Sequence, residues 1–108
     1  MNDDVLRKLA KTLEQRKTAD PKSSYTASLY EKGLDSILKK IGEEATEVVI
    51  ASKSREKDAI IHEMADLWFH LLVLLSYQEL GPEDVLKALQ DRFGQSGLEE
   101  KANRDHQD

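Results

Sequence analysis

The stretch "IIHEMADLWFHLLVLL", residues 60–75, decides the fold. It is largely apolar, yet it carries Glu63, Asp66 and His70. Projected onto a helix at about 100° per residue, these three residues fall within an arc of roughly 60° that apolar residues almost surround. A helix that is apolar on most sides is usually buried, and a carboxylate moved out of water needs a compensating partner. The stretch therefore predicts a buried helix with a polar inset, or else a helix that is less buried than it looks.

Periodic apolar spacing predicts three helical segments before this one. We expect a helix over about 3–17, a short helical turn in "SYTASLYEKG" that ends at a left-handed Gly33, and a helix over about 34–53. The central helix itself is expected over about 55–79, with Ser54 as its cap.

A further helix is predicted after the central one, beginning at Pro82. Its apolar residues are expected in the core, namely Val85, Leu86, Leu89 and Phe93. We therefore predict an all-α bundle of about four to five helices, completed by homodimerisation. The bundle would form one domain over residues 1–93, followed by a flexible C-terminal tail over 94–108.

The composition excludes several classes of protein. Charged residues make up 34% and hydrophobic ones 39%, the balance of a soluble helical protein, and the net charge of −5 argues against nucleic-acid binding. The absence of cysteine excludes disulfides and thiolate metal sites. The start "MNDDVLRKLAK" lacks the apolar core of a secretory signal, and the longest apolar run is far short of the roughly 20 residues of a membrane span. We expect a cytoplasmic protein with neither nucleic acid nor membrane as a partner.

A second acidic group precedes the central helix. The segment "GEEATE" places Glu43, Glu44 and Glu47 within an arc of about 100° on one helix. Two antiparallel helices joined by a short turn would bring this group opposite Glu63 and Asp66. Carboxylates this close repel one another unless a cation lies between them, and oxygen ligands without cysteine suit Mg²⁺, with Mn²⁺ possible. The two groups together predict a divalent metal site between two helices.

Simpler explanations exist for each acidic group alone. The first would be a solvated face, in which Lys40 forms an i, i+4 ion pair with Glu44, and the second would pair with basic residues elsewhere. A di-iron bundle needs Glu-x-x-His on two helices, but Asp66 stands three residues after Glu63, so we set iron aside. A non-catalytic helical protein that binds a basic partner remains the alternative from a different class.

Several other polar residues are candidates for substrate contacts. Lys40 projects into the same arc as the acidic group and is the candidate phosphate ligand, with Lys39 beside it. His70 is either a partner of Asp66 or a buried histidine satisfied by backbone or water, and His62 is expected to be structural or exposed.

Two segments outside the long helices also carry candidate substrate ligands. Ser24, Tyr25 and Thr26 either belong to a loop that covers the substrate or cap the following helix. In the tail, Lys101 and Arg104 either close over phosphates or are simply solvated.

The motif E-E-x-x-E, followed after fifteen residues by E-x-x-D, resembles the all-α NTP pyrophosphatase (MazG-type) superfamily. Within it, "SYTASLYEKGLDSILKKIGEEATEVVIASK" and "HEMADLWFHLLVLL" resemble the phosphoribosyl-ATP pyrophosphatase family of histidine biosynthesis. The resemblance runs from about Ser24 to Phe93, and "SGLEEKANR" in the tail also fits.

This resemblance implies a reaction and a set of ligands. Phosphoribosyl-ATP would be hydrolysed between its α- and β-phosphates to phosphoribosyl-AMP and pyrophosphate, with Mg²⁺, in a helical homodimer whose site lies near the subunit interface. The implied metal ligands are Glu44, Glu47, Glu63 and Asp66. Glu43 would bind a further ion or orient the attacking water, and Glu43 and Glu44 are the candidate catalytic carboxylates. The alternative within the superfamily is a house-cleaning NTP pyrophosphatase.

Overall fold

The computed structural model describes residues 2–93, and their side chains from residue 5 onwards. These residues form five helices and no strand, so the all-α prediction is confirmed. The helices are α1 (Asn2–Arg16), α2 (Tyr25–Lys32), α3 (Leu34–Ser54), α4 (Lys57–Tyr77) and α5 (Pro82–Gln90). The predicted tail, with Lys101 and Arg104, lies outside the described residues.

The central feature of the fold is a helical hairpin of α3 and α4, which form the most extensive helix contact in the described part of the chain. Arg55 joins them in a left-handed conformation, with φ 64° and ψ 11°, and Glu56 is the N-cap residue of α4. The prediction that Ser54 caps α4 is wrong. The Ser54 hydroxyl donates back to the Ala51 carbonyl at 2.6 Å, because the left-handed turn delays the start of α4 to Lys57.

The short helix α2 is held at both ends by the residues that the sequence singled out. Ser24 is its N-cap, and the Ser24 side chain accepts a hydrogen bond from the Ala27 N–H at 3.1 Å. Gly33 ends α2 and precedes α3, as predicted, but its φ of 96° and ψ of −172° lie outside the left-handed helical region that we expected. This extended conformation with positive φ is essentially reserved for glycine, so Gly33 sets the angle between α2 and α3.

The core lies where the first four helices meet. Its fully buried side chains are Leu13 of α1, Ile37 of α3 and Val73 of α4, and the nearly buried Leu29 of α2 and Leu72 of α4 complete it. Near the C-terminus of α4, Ser76 is buried, and its hydroxyl donates a hydrogen bond to the Glu14 carboxylate of α1 at 3.0 Å. This hydrogen bond fixes α1 against the helical hairpin.

The last helix begins at Pro82 as predicted, and the Asp84 carboxylate accepts the Gly81 N–H at 2.9 Å. Its apolar residues, however, are not in the core: they are 38–81% exposed, namely Val85, Leu86, Leu89 and Phe93. The prediction is wrong because α5 packs at the edge of the single chain, beside an open groove of about 360 Å³. We call this surface the apolar groove; it is lined by Leu6, Trp68, Leu71, Leu72, Leu74, Leu75, Pro82, Val85, Leu86 and Leu89.

Helix α4 is also less buried within the chain than its composition predicted. One of its faces is exposed along several turns, through Ile61, Met64, Trp68 and Leu71. By length and composition its 21 residues are apolar enough to cross a membrane. The sequence did not predict this, because the longest uninterrupted apolar run in the helix is much shorter than a membrane span. The core helix of a soluble protein passes the same test, so this property alone is weak evidence for a membrane span.

The backbone at Gly33 generates a test of the fold. Gly33→Ala is expected to lower the free energy of unfolding by about 1–3 kcal/mol, because a Cβ is strained at this positive φ. Gly42→Ala is the matched control: Gly42 lies inside α3, and a Cβ there would meet nothing within 4 Å. This control should raise the stability by up to about 1 kcal/mol through helix propensity. Urea unfolding of both variants measures the difference, and a shift of the same sign in both would contradict the assignment.

The contact between Ser76 and Glu14 predicts a pH-dependent contribution to stability. Hydrogen bonds from Lys17 and Ser76 lower the pKa of Glu14 below its ordinary value of 4.5. Because the pKa is lowered in the folded state, this stabilisation is present above the unfolded-state pKa and is lost as the pH falls through the folded-state pKa. Ser76→Ala should therefore cost about 0.5–1 kcal/mol at neutral pH, and the deficit should shrink in acid. Denaturant titrations at neutral pH and in acid test this prediction, with Ser52→Ala on the exposed side of α3 as the control. A loss of stability that is the same at both pH values would exclude a contribution from the charge of Glu14.

Candidate functional site

Two residues of the polar inset of α4, together with His62, form a compact group of potential metal ligands. One ligand atom from each of His62, Glu63 and Asp66 lies within 4.8 Å of the others. The His62 Nε2 is 3.5 Å from the Asp66 carboxylate. His62 is exposed, as predicted, but sequence analysis did not assign it to the site. Its i, i+4 spacing to Asp66 is the signal that could have done so.

The acidic group of α3 divides into one buried and two exposed carboxylates. Glu44 is only 9% exposed, while Glu43 and Glu47 are exposed. Lys40, one turn earlier, has its Nζ 3.4 Å from a Glu44 oxygen and 3.9 Å from a Glu43 oxygen. The predicted ion pair between Lys40 and Glu44 is thus confirmed. Neither Glu44 nor Glu47 belongs to the compact group on α4, so their role as metal ligands stays a prediction.

Tyr25, the first residue of α2, lies where the charges of α3 and α4 meet. Burial raises the pKa of the Tyr25 phenol, and nearby Lys40 acts against that rise. Three carboxylates add to it, namely Glu44, Glu43 and Asp66. These charges come from both α3 and α4, so the phenol lies within the electrostatic influence of both helices.

The hydroxyl of Tyr25 is held by a buried histidine of α4. The phenol oxygen lies 2.8 Å from His70 Nε2, and His70 Nδ1 lies 2.7 Å from the backbone carbonyl oxygen of Asp66. His70 is 5% exposed. The prediction of a buried histidine satisfied by the backbone is therefore confirmed, but its tyrosine partner, 45 residues away in the sequence, was not predicted.

The other predicted substrate ligands lie around this point in different surroundings. Lys39 is exposed on α3, whereas Thr26 is buried within α2. Ser24 has the capping role that was one of its two predicted roles. Tyr25 and Thr26 belong to the first turn of a helix and not to a loop. The first turn of α2 therefore brings one half-exposed side chain, that of Tyr25, to the acidic helices.

The charge balance of this site favours an ionised lysine. The charge of the Tyr25 phenolate, and after it the contact with Glu44, raises the pKa of Lys40 above its ordinary value. The site thus combines a fixed cation, a buried carboxylate and exposed carboxylates on two packed helices. Such a surface can bind a divalent cation and the phosphates that accompany it.

Comparison with known proteins identifies the family. A family model described as "Phosphoribosyl-ATP pyrophosphohydrolase" matches residues 6–93. A phosphoribosyl-ATP pyrophosphatase from Methylococcus capsulatus is 68% identical over 101 residues, which cover 94% of this chain and 96% of the relative. Proteins of the same name from Hydrogenovibrio crunogenus and Chromobacterium violaceum are 57% and 56% identical, and the matches cover 100% and 96% of this chain and 99% and 96% of those relatives.

These matches span the helices that carry the acidic groups and the Tyr25–His70 pair, and they confirm the resemblance predicted from the sequence. The chain belongs to the phosphoribosyl-ATP pyrophosphohydrolase family.

Proposed function

We propose that this protein is an enzyme of histidine biosynthesis that hydrolyses phosphoribosyl-ATP to phosphoribosyl-AMP and pyrophosphate with the help of Mg²⁺. The observation that carries the proposal is the presence of two polar groups on the packed helices α3 and α4: Lys40 paired with the buried Glu44 on α3, and the compact group of His62, Glu63 and Asp66 on α4. The names of the close relatives give the substrate.

The donor set fits a hard divalent cation. Carboxylate oxygens of Glu63 and Asp66 come from adjacent turns of α4, within 4.8 Å of each other, and side-chain rotation can bring them onto one ion. We assign Glu44 and Glu47 of α3 as the remaining protein ligands. These carboxylates would hold Mg²⁺, which when bound would offset their repulsion of the phosphates and lower the pKa of a coordinated water.

The residues of this chain supply the rest of the chemistry. The Lys40 ammonium, held between Glu43 and Glu44, is placed to contact a phosphate oxygen of the substrate. Glu43 is exposed, and protonation of its carboxylate would leave the ion pair of Lys40 with the buried Glu44 in place. We therefore assign Glu43 as the group that accepts the proton of the attacking water.

A product assay tests both the reaction and its metal. We expect pyrophosphate release from phosphoribosyl-ATP with Mg²⁺, little release from ATP or dNTPs, and none with a chelator. Equal turnover of all these nucleotides would instead favour the house-cleaning pyrophosphatase, and no Mg²⁺ or Mn²⁺ binding would favour the non-catalytic helical protein.

Glu63→Gln tests the carboxylates directly. The substitution keeps the shape of the side chain and removes its charge, so kcat/KM should fall by about 100-fold or more. The melting temperature should be unchanged or slightly higher, because like-charge repulsion with Asp66 is relieved. Glu31→Gln, at an exposed position of α2, is the control and should keep full activity. Full activity in Glu63→Gln would refute the metal assignment.

We further propose that the enzyme works as a homodimer in the cytoplasm, with the apolar groove as the subunit interface. The chain buries few large side chains and leaves Trp68 53%, Leu86 38% and Leu89 50% exposed on this face. A bilayer is a poor occupant, since His62, Glu63 and Asp66 lie on the same helix. A second copy offers the same apolar face to the first, as two-fold symmetry requires.

Trp68 is the sole tryptophan of the chain and reports on this interface. We expect a molecular mass of two chains in sedimentation equilibrium, and a blue shift of the tryptophan emission as concentration drives association. Leu86→Glu, which places a charge in the groove, should shift the protein toward monomer. Ala88→Glu, on the exposed side of the same helix, should not. A wild-type protein that remains a monomer at high concentration would overturn this proposal.

A further inference from the structure

The pair of Tyr25 and His70 fixes the direction of a hydrogen bond at the site. A backbone carbonyl only accepts hydrogen bonds, so His70 Nδ1, at 2.7 Å from the Asp66 carbonyl, carries a proton. In the neutral ring the other nitrogen, Nε2, is then without a proton and accepts. The Tyr25 hydroxyl, 2.8 Å away, therefore donates its hydrogen to His70.

This direction limits what Tyr25 can bind. With its hydrogen committed to His70, the phenol presents only oxygen lone pairs to its other neighbours. Tyr25 is 51% exposed, so these lone pairs are accessible to a bound molecule. A phosphate oxygen is itself an acceptor and makes a poor partner for them. The phenol instead suits a hydrogen-bond donor, and the donors of a hydrated sugar phosphate are O–H groups.

We propose that His70 is a positioning residue that makes Tyr25 an acceptor for an O–H group of the reacting complex, either a sugar hydroxyl of the nucleotide or the attacking water. The proposal rests on the proposed function and refines the substrate contact predicted for Tyr25. His70 does not touch the substrate in this arrangement. It acts by holding the hydrogen of Tyr25 away from the site.

Two substitutions of His70 separate this role from a structural one. Glutamine places its carboxamide near the position of Nε2 and can accept from Tyr25, whereas asparagine reaches only the position of Nδ1 and the Asp66 carbonyl. We expect His70→Asn to lose about tenfold in kcat/KM, the effect of one hydrogen bond, and His70→Gln to lose clearly less. If His70 merely satisfied its own helix, the order would be reversed, and that result would overturn the proposal. Thermal unfolding of each variant verifies that it is folded.

Tyr25→Phe identifies the donor and keeps the test decisive if an asparagine variant fails to fold. A rise in KM with unchanged kcat indicates a sugar hydroxyl, and a fall in kcat with unchanged KM indicates the attacking water. The double variant Tyr25→Phe/His70→Asn should lose no more than the more damaging single variant, because both remove one interaction. Unchanged kinetics in Tyr25→Phe would overturn the proposal.

A measurement without substrate tests the same hydrogen bond. A long-range ¹H–¹⁵N spectrum of the wild-type protein should show His70 with a protonated Nδ1 and an unprotonated Nε2. The opposite tautomer, or a ring protonated at both nitrogens at the assay pH, would overturn the inference. If the wild-type protein released no pyrophosphate, the proposed function would fail, whereas a reversed order of the two His70 variants in an active enzyme would refute this inference alone.

Discussion

The constraint on which the structure depends is the buried carboxylate of Glu44 in the face that α3 turns toward its neighbours. Burying this charge is costly unless a cation or hydrogen-bond donors balance it. Lys40 supplies part of the balance from one turn away, with its Nζ 3.4 Å from a Glu44 oxygen. A fold that needed only stability would place an apolar side chain here. The proposed ion and nucleotide would explain why a carboxylate is kept here, because the packed helices hold it in a fixed position for binding them.

The short helix α2 holds Tyr25 against the pair of long helices. Its start is set by the Ser24 cap and its end by Gly33, whose backbone conformation is closed to other residues. Between them the core residue Leu29 anchors α2 to the rest of the bundle. Tyr25 is therefore carried on a rigid element, and its hydroxyl is fixed further by His70. Groups that act on a reacting complex are most effective when their positions are prepared in this way.

Local sequence patterns predicted most of the fold and the polar inset of α4, because helix periodicity and caps are properties of neighbouring residues. They failed where the answer depends on distant chain segments. Ser54 has the right chemistry for a cap, but a left-handed Arg55 moves the start of α4 beyond it. Tyr25 and His70 meet only after three helices have packed, so no spacing rule could pair them. The four carboxylates expected at the metal came from a motif, and of these the compact ligand group in the described residues contains Glu63 and Asp66.

The exposed residues of α5 show the same limit and connect the site to the proposed subunit contact. Apolar periodicity predicted Leu86 and Leu89 in the core, but in the single chain they are 38% and 50% exposed beside the apolar groove, because periodicity cannot say which surface an apolar face packs against. Helix α4 carries both Asp66 at the acidic site and Trp68 in the apolar groove, two residues apart and therefore on different faces. A second copy packed on the groove would fix the rotation of α4 about its axis. That rotation also sets where Asp66 points, so in the proposed dimer association and the geometry of the acidic site are determined by the same helix.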